Sequence, residues 1–158
     1  MRPGQFTQST SAHDVISRPA TALSIPSTLV RELERHALES LPEECCGVLI
    51  GRIEGDAHIV EEVRPAANVS PDDRTRAYEI EPQAVFECFR DARRTGRHVL
   101  GFYHSHPDGT DNPSDRDRDG VWPHMSYVIV PVAEGRVAGL RSWNAGPAGG
   151  PFIAERIN

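Results

Sequence analysis

Residues 99–106, Val-Leu-Gly-Phe-Tyr-His-Ser-His, constrain the fold of this chain more than any other stretch. Val99 to Tyr103 is apolar apart from Gly101, which suits a β-strand covered on both faces. Alternation along that strand sends His104 and His106 to the same face at its carboxyl end. Imidazoles held in this way are nitrogen ligands for a metal such as zinc. Pro107, Gly109, Asn112 and Pro113 are turn formers that reverse the chain. Ser114 then suits the N-cap of a short helix. Asp117, three residues on, faces the same side of its first turn, back toward the histidines.

Each element alone has a plainer reading. His-x-His on a strand is more often surface or satisfied core. Asp108, Asp111, Asp115, Asp117 and Asp119 would serve as a solvated acidic loop, with Ser114 and Asp117 a helix-capping pair. The combination is what favours a metal centre: His104, His106 and Asp117 supply three ligands and leave one position open, as catalytic rather than structural zinc requires. Two neutral imidazoles and a carboxylate leave zinc with net positive charge, which lowers the pKa of bound water to roughly 7. Amide hydrolysis needs, in addition, a group beside the metal that carries a proton to the leaving amine.

The string His-x-His-x7-Ser-x2-Asp resembles the signature of the JAMM (MPN+) metalloproteases. Upstream, Pro42-Glu43-Glu44-Cys45-Cys46-Gly47 runs into Val48-Leu49-Ile50-Gly51 and is similar to the family's Pro-x-Glu-x-x-Gly segment. The resemblance covers the chain after residue 20. It implies that His104, His106 and Asp117 hold one zinc ion per chain. It also implies that Glu44, not Glu43, is the general acid/base, and that Ser114 stabilises the tetrahedral intermediate. The implied fold is α+β, a single JAMM/MPN-like (cytidine-deaminase-like) domain with a mixed β-sheet flanked by helices.

The implied reaction is hydrolysis of an amide or isopeptide bond after the C-terminal Gly-Gly of a ubiquitin-like sulfur-carrier protein, releasing cysteine or a conjugated protein. Residues without a Cβ let an extended tail pass through a narrow channel to the metal, and strand addition is the expected mode of tail recognition. The stretch Asn68 to Arg76 is similar to the part of the family that contributes to the substrate groove. Three other readings remain: a non-catalytic MPN scaffold, a RadC-like protein of DNA-repair association, and a small-molecule zinc amidohydrolase.

Length and charge bound the rest. A chain of 158 residues suits one domain, placed at 20–158, behind an expected mobile tail at residues 1–19 that lacks an apolar signal core. A net charge of −6 and a pI near 5.6 argue against binding nucleic acid or an anionic membrane surface. No apolar run is long enough to span a bilayer. The three cysteines, two of them adjacent, suggest no disulfide framework and fit a cytoplasmic location. Cys46 reads as small core, while Cys45, next to the proposed base, is placed near the site. The oligomeric state is left open.

Periodicity predicts a strand near 21–25, then a helix opened by Pro26 and Ser27. That helix turns Leu29, Val30, Leu33, Ala37 and Leu41 inward and carries the chain to Glu44. Residues 47–52 and 58–63 form a hairpin around Glu54-Gly55-Asp56. Residues 64–76 are loop and 78–80 a short strand. A second helix from Pro82 turns Val85, Phe86, Phe89 and Ala92 inward and stops at Gly96. Residues 126–132 and 136–143 pair around Glu134-Gly135, and 152–156 form the last strand, in a sheet of mixed or antiparallel pairing. His13, His36, His58, His98 and His124 lack partners at ligand spacing and read as structural or exposed, with His124, just past the metal-site helix, the nearest to an exception.

Overall fold

The computed structural model describes Ile16 and residues 19–158. Of the expected tail, only Ile16 and Pro19 fall among the described residues, and His13 lies outside them; Ile16 is buried in the core. In chain order the elements are β1 (Ala22–Ser24), α1 (Ser27–Ser40), β2 (Cys46–Glu54), β3 (Ala57–Ala66), α2 (Pro82–Arg94), β4 (His98–His106), β5 (Ser126–Ala133), β6 (Arg136–Val137), β7 (Arg141–Ala145) and β8 (Phe152–Ile157).

Strand β4 is buried from Val99 to His106, as its apolar run requires. It lies between β2, which is antiparallel to it, and β5, which is parallel. The sheet is mixed, in the order β4-β2-β3-β1-β8-β7-β5-β6, and the extra β4–β5 pairing brings its two ends together. A parallel pair cannot be joined by a tight turn. The connection from β4 to β5 is therefore long, and it carries Ser114 and Asp117.

Adjacent strand residues feed two separate cores, because successive side chains point to opposite faces. Val48, Ile50, Phe102 and Tyr127 pack with Val85, Cys88 and Ala92 of α2. Leu49, Leu100, Tyr103 and Val128 pack with Leu33 and Ala37 of α1. Gly101 is forced by backbone proximity, since a Cβ there would lie 1.8 Å from the carbonyl oxygen of Ser126 on β5.

Several boundaries differ from the sequence reading. Helix α1 ends at Ser40 rather than reaching Glu44, because the residue before a proline is pushed out of the α region and Leu41 turns extended (φ −50°, ψ 139°). Leu41 is accordingly exposed. In α2 the N-cap is Glu81, whose carboxylate accepts from Ala84 N at 2.7 Å, and the buried stripe is Val85, Cys88 and Ala92. Phe86 falls off that stripe and is 49% exposed, while Phe89 sits at its flank and stacks on Trp122. Gly96 (φ 68°) ends the helix as expected. The β2–β3 hairpin is longer than its apolar pattern. The expected strand at 78–80 is only a bridge between Ile80 and Asn68. The expected strand at 136–143 breaks into β6 and β7 around Gly139 (φ 113°). Among the described residues no helix is long and apolar enough to cross a membrane.

A buried polar chain also spans the sheet: His58 Nδ1 donates to Ser126 Oγ (2.7 Å), and Ser126 and Ser142 donate to the two carboxylate oxygens of Glu155 (3.0 and 2.6 Å). Burial, with a smaller push from His98, lowers the pKa of His58 to about 4. The unfolded chain therefore takes up a proton near pH 6.5 while the folded chain does not. Stability should fall as pH drops from about 6.5 to 4, by no more than about 3 kcal/mol from this residue. Urea midpoints measured across that range should show a shallower slope in His58→Gln. Gly101→Ala should lower stability by about 3 kcal/mol or prevent folding; an unchanged urea midpoint would contradict the close approach of β4 and β5.

Candidate metal centre

The site is built on the pairing of β2 with β4. Cys46 lies opposite His104, and Ser105 N donates to Cys45 O at 3.1 Å. Alternation keeps Cys46, His104 and His106 on one face, and Glu44, two residues before Cys46, lines the same cavity as His106. The Glu44 backbone is pinned from the other side: its N donates to Arg74 O (2.8 Å) and its O accepts from Asn68 Nδ2 (3.0 Å). The thiol of Cys45 points the opposite way, into the core beside α1, where burial raises its pKa to about 11. The thiol thus belongs to the core on the other face of the sheet, although its neighbour in sequence is Glu44.

His104 Nε2, His106 Nε2 and Asp117 Oδ2 form a triangle with edges of 3.0, 3.1 and 3.3 Å. Bonds of about 2.0–2.1 Å to a tetrahedral zinc put neighbouring ligand atoms roughly 3.3 Å apart, so the triangle fits one face of such a site. His106 Nδ1 lies 2.9 Å from the carbonyl of Thr110, which only accepts. Nδ1 therefore carries the proton and Nε2 presents a lone pair. His104 Nδ1 has no hydrogen-bond partner among the described residues, so in its Nδ1–H tautomer Nε2 presents a second lone pair to the same point, which suits a bound cation. Among the described residues this is the one cluster of its kind. His36 instead meets the Tyr103 hydroxyl (2.9 Å), His58 meets Ser126, and His124 lies outside the triangle with its N bonded to Ala145 O.

Ser114 and Asp117 meet as the capping pair that the sequence suggests: Ser114 N donates to Asp117 Oδ2 (2.7 Å), and Asp117 N donates to Ser114 Oγ (3.2 Å). The expected helix does not follow. Residues 115–120 form only turns. The paired groups hold the carboxylate in place instead of starting a helix. Ser114 Oγ accepts in this pair, which leaves its own O–H free to donate.

Electrostatics follow from burial. Burial alone would raise the pKa of Asp117, but the imidazoles of His104 and His106 hold it far below the ordinary carboxylate range. For His106, burial works to lower the pKa, and Asp117 outweighs it and raises it. Burial pushes Glu44 up to about 7 against the lowering pull of the two histidines. Glu44 is 6% exposed, and its Oε2 has no hydrogen-bond partner among the described residues. A cavity of about 450 Å³ opens beside it, lined by Thr75, Arg76, His106, Asp108 and Ser114 among others.

The sequence reading singled out His104, His106, Asp117, Glu44 and Ser114, and took Asn68 only as the start of a stretch along the substrate groove, not as the side chain that pins Glu44. Besides Glu44 O, Asn68 Nδ2 holds Ala77 O (3.0 Å), and Oδ1 accepts from Ser70 N and Glu79 N (both 3.1 Å). Asparagine in a loop commonly ties down nearby backbone, and that was the available signal.

A family model described as prokaryotic homologs of the JAB domain matches residues 26–146, most of the chain. The chain belongs to the JAB/MPN family. Within it, the chain is 33% identical over 114 residues to a desampylase of Haloferax volcanii, covering 72% of this chain and 80% of that one. It is 38% identical over 108 residues to a probable TtuB-protein conjugate cleaving protease of Thermus thermophilus, covering 68% of each. The fold is similar to the crystal structure of a JAB1/MPN domain protein of Archaeoglobus fulgidus, with a TM-score of 0.50 at 16% identity over 88% of this chain and 97% of that one.

Metal analysis after dialysis against zinc should find about one ion per JAB/MPN chain. His104→Ala and Asp117→Ala should each lose most of that zinc. Ser114→Ala, which removes no triangle atom, should keep it; equal loss in all three would contradict the three-ligand assignment.

Proposed function

We propose that this chain is a zinc metallopeptidase that hydrolyses the amide or isopeptide bond after the C-terminal Gly-Gly of a ubiquitin-like sulfur-carrier protein. The observation that carries the reading is the triangle of His104, His106 and Asp117 with Glu44 lining the same cavity as His106. A zinc ion at that position supplies Lewis acidity toward a carbonyl and toward water.

The chain's own groups supply the rest. His104, His106 and Asp117 are the ligands. Glu44, buried, with one oxygen unpartnered and its pKa near 7, can take a proton from water and return it to the leaving nitrogen. The Ser114 hydroxyl lines the same cavity with its O–H free, suited to donating to the oxygen that gathers negative charge. Thr75 and Arg76 form the wall along which the tail approaches. A tail of glycines fits because a chain lacking Cβ atoms passes closest to such a wall. The names of the two relatives, a desampylase and a probable TtuB-protein conjugate cleaving protease, support a protein-conjugate substrate. A non-catalytic scaffold gives no reason for the ligand atoms to converge.

A sulfur-carrier protein extended beyond Gly-Gly, incubated with the zinc-loaded protein and weighed, tests the reading. Cleavage directly after the second glycine is expected. Glu44→Gln should lower kcat about 10²- to 10⁴-fold with its zinc retained. Full activity in Glu44→Gln would overturn the role of this carboxylate. Hydrolysis of small amides with the carrier left intact would favour the amidohydrolase.

A further inference from the structure

The two histidines of the triangle are held in different ways. His106 has its Nδ1 fixed by the Thr110 carbonyl at 2.9 Å. His104 has no such partner: its Nδ1 is buried without a hydrogen bond among the described residues. A histidine that ligates a metal usually donates its second N–H to a carbonyl or carboxylate, which sets the ring's orientation. A buried N–H left without an acceptor is destabilising and does nothing to orient its ring. Some other contact must therefore keep the His104 ring in its plane.

That contact is Tyr78. Its ring lies flat against the imidazole, with centroids 4.4 Å apart and planes 18° from parallel. Tyr78 is itself buried in the core beside α2. Its backbone is clamped on both sides by Asn68, which holds Ala77 O before it and Glu79 N after it. Asn68 also holds Glu44 O, so one side chain sets both the base and the ring behind the ligand.

We propose that Tyr78 is a positioning residue of the metal centre, and that its ring face, rather than a hydrogen bond, fixes the plane in which His104 presents Nε2 to the metal. The inference rests on the reading of the triangle as a zinc site. It concerns the ring and not the hydroxyl, so Tyr78→Phe keeps the function. Tyr78→Met fills much of the same volume without a flat face.

Cobalt(II) is the probe, with affinity measured by competition with a chromophoric chelator and ligand geometry by visible absorption. Tyr78→Phe should bind within about 3-fold of the unaltered protein, while Tyr78→Met should bind about 10- to 100-fold more weakly. Tyr78→Met should also show shifted cobalt bands. Tyr127→Met, a loss of ring from the same core with no ring contact to His104, should leave affinity and bands unchanged. Unaltered cobalt binding in Tyr78→Met would overturn the proposal. So would a loss in Tyr78→Phe as large as in Tyr78→Met, or an equal loss in Tyr127→Met. If Tyr78→Met does not fold, Asn68→Asp removes the bond to Ala77 O just before Tyr78 while keeping an acceptor for Glu79 N. Weaker binding with shifted bands is expected there, and wild-type values would overturn the proposal. Failure of the unaltered protein to bind cobalt would instead sink the zinc reading itself.

Discussion

The antiparallel pairing of β2 with β4 is the constraint on which the site depends. One register decision, Cys46 opposite His104, fixes two things together. It buries Val48 and Phe102 on one face and Leu49 and Tyr103 on the other, and it brings Glu44, two residues before Cys46, to the cavity that His106 lines. A slip of one residue would turn every β2 side chain to the opposite face. The carboxylate would then point to where the Cys45 thiol now lies. The apolar core and the placement of the histidine triangle are therefore held by the same hydrogen bonds, and neither can shift without the other.

The second requirement is the long connection from β4 to β5. Because β4 and β5 run parallel, the chain must travel the length of the sheet between them, and residues 107–125 make that passage across the carboxyl end of β4. Gly101 lets β5 come close enough to begin at Ser126. The same topology that buries β4 thus brings Asp117 to the end where His104 and His106 emerge. Burial then raises the electrostatic stakes, because an ionised Asp117 this far from solvent requires the cationic or polar partners that the triangle provides.

Much of this was legible in the sequence, for an identifiable reason. Strand β4 and the convergence of His104, His106 and Asp117 were readable from alternation and turn residues, whereas Glu44 was singled out only by the resemblance of the Pro42–Gly47 segment to a known family. What stayed hidden depends on contacts between distant segments. Phe86 obeys helical spacing yet faces solvent, since the position of the stripe is set by Val85, Cys88 and Ala92 meeting the sheet. Cys45 is adjacent to Glu44 in sequence and on the other side of the sheet in space, a consequence of strand alternation beginning earlier than the apolar run suggested. Asn68 and Tyr78 belong to a segment without period or motif. Their importance comes from what the fold sets beside them: the backbone of Glu44 and the ring of His104.

Ser114 and Asp117 show why the plain and the functional readings of a motif need not compete. Serine followed three residues later by an acid is a helix-capping signal, and both reciprocal hydrogen bonds of a capping box are present. No helix follows, so the pair cannot be explained by helix stability. The bond from Ser114 N instead ends on Asp117 Oδ2, the same oxygen that lies 3.1 Å from His106 Nε2 and 3.3 Å from His104 Nε2. The backbone amide and the imidazoles thus converge on one carboxylate oxygen and fix its position before any metal arrives. Meanwhile the bond from Asp117 N occupies a lone pair of Ser114 Oγ and leaves the hydroxyl, on the cavity wall, free to donate. The capping geometry is the means by which a short, irregular loop delivers a rigid ligand and a donor together.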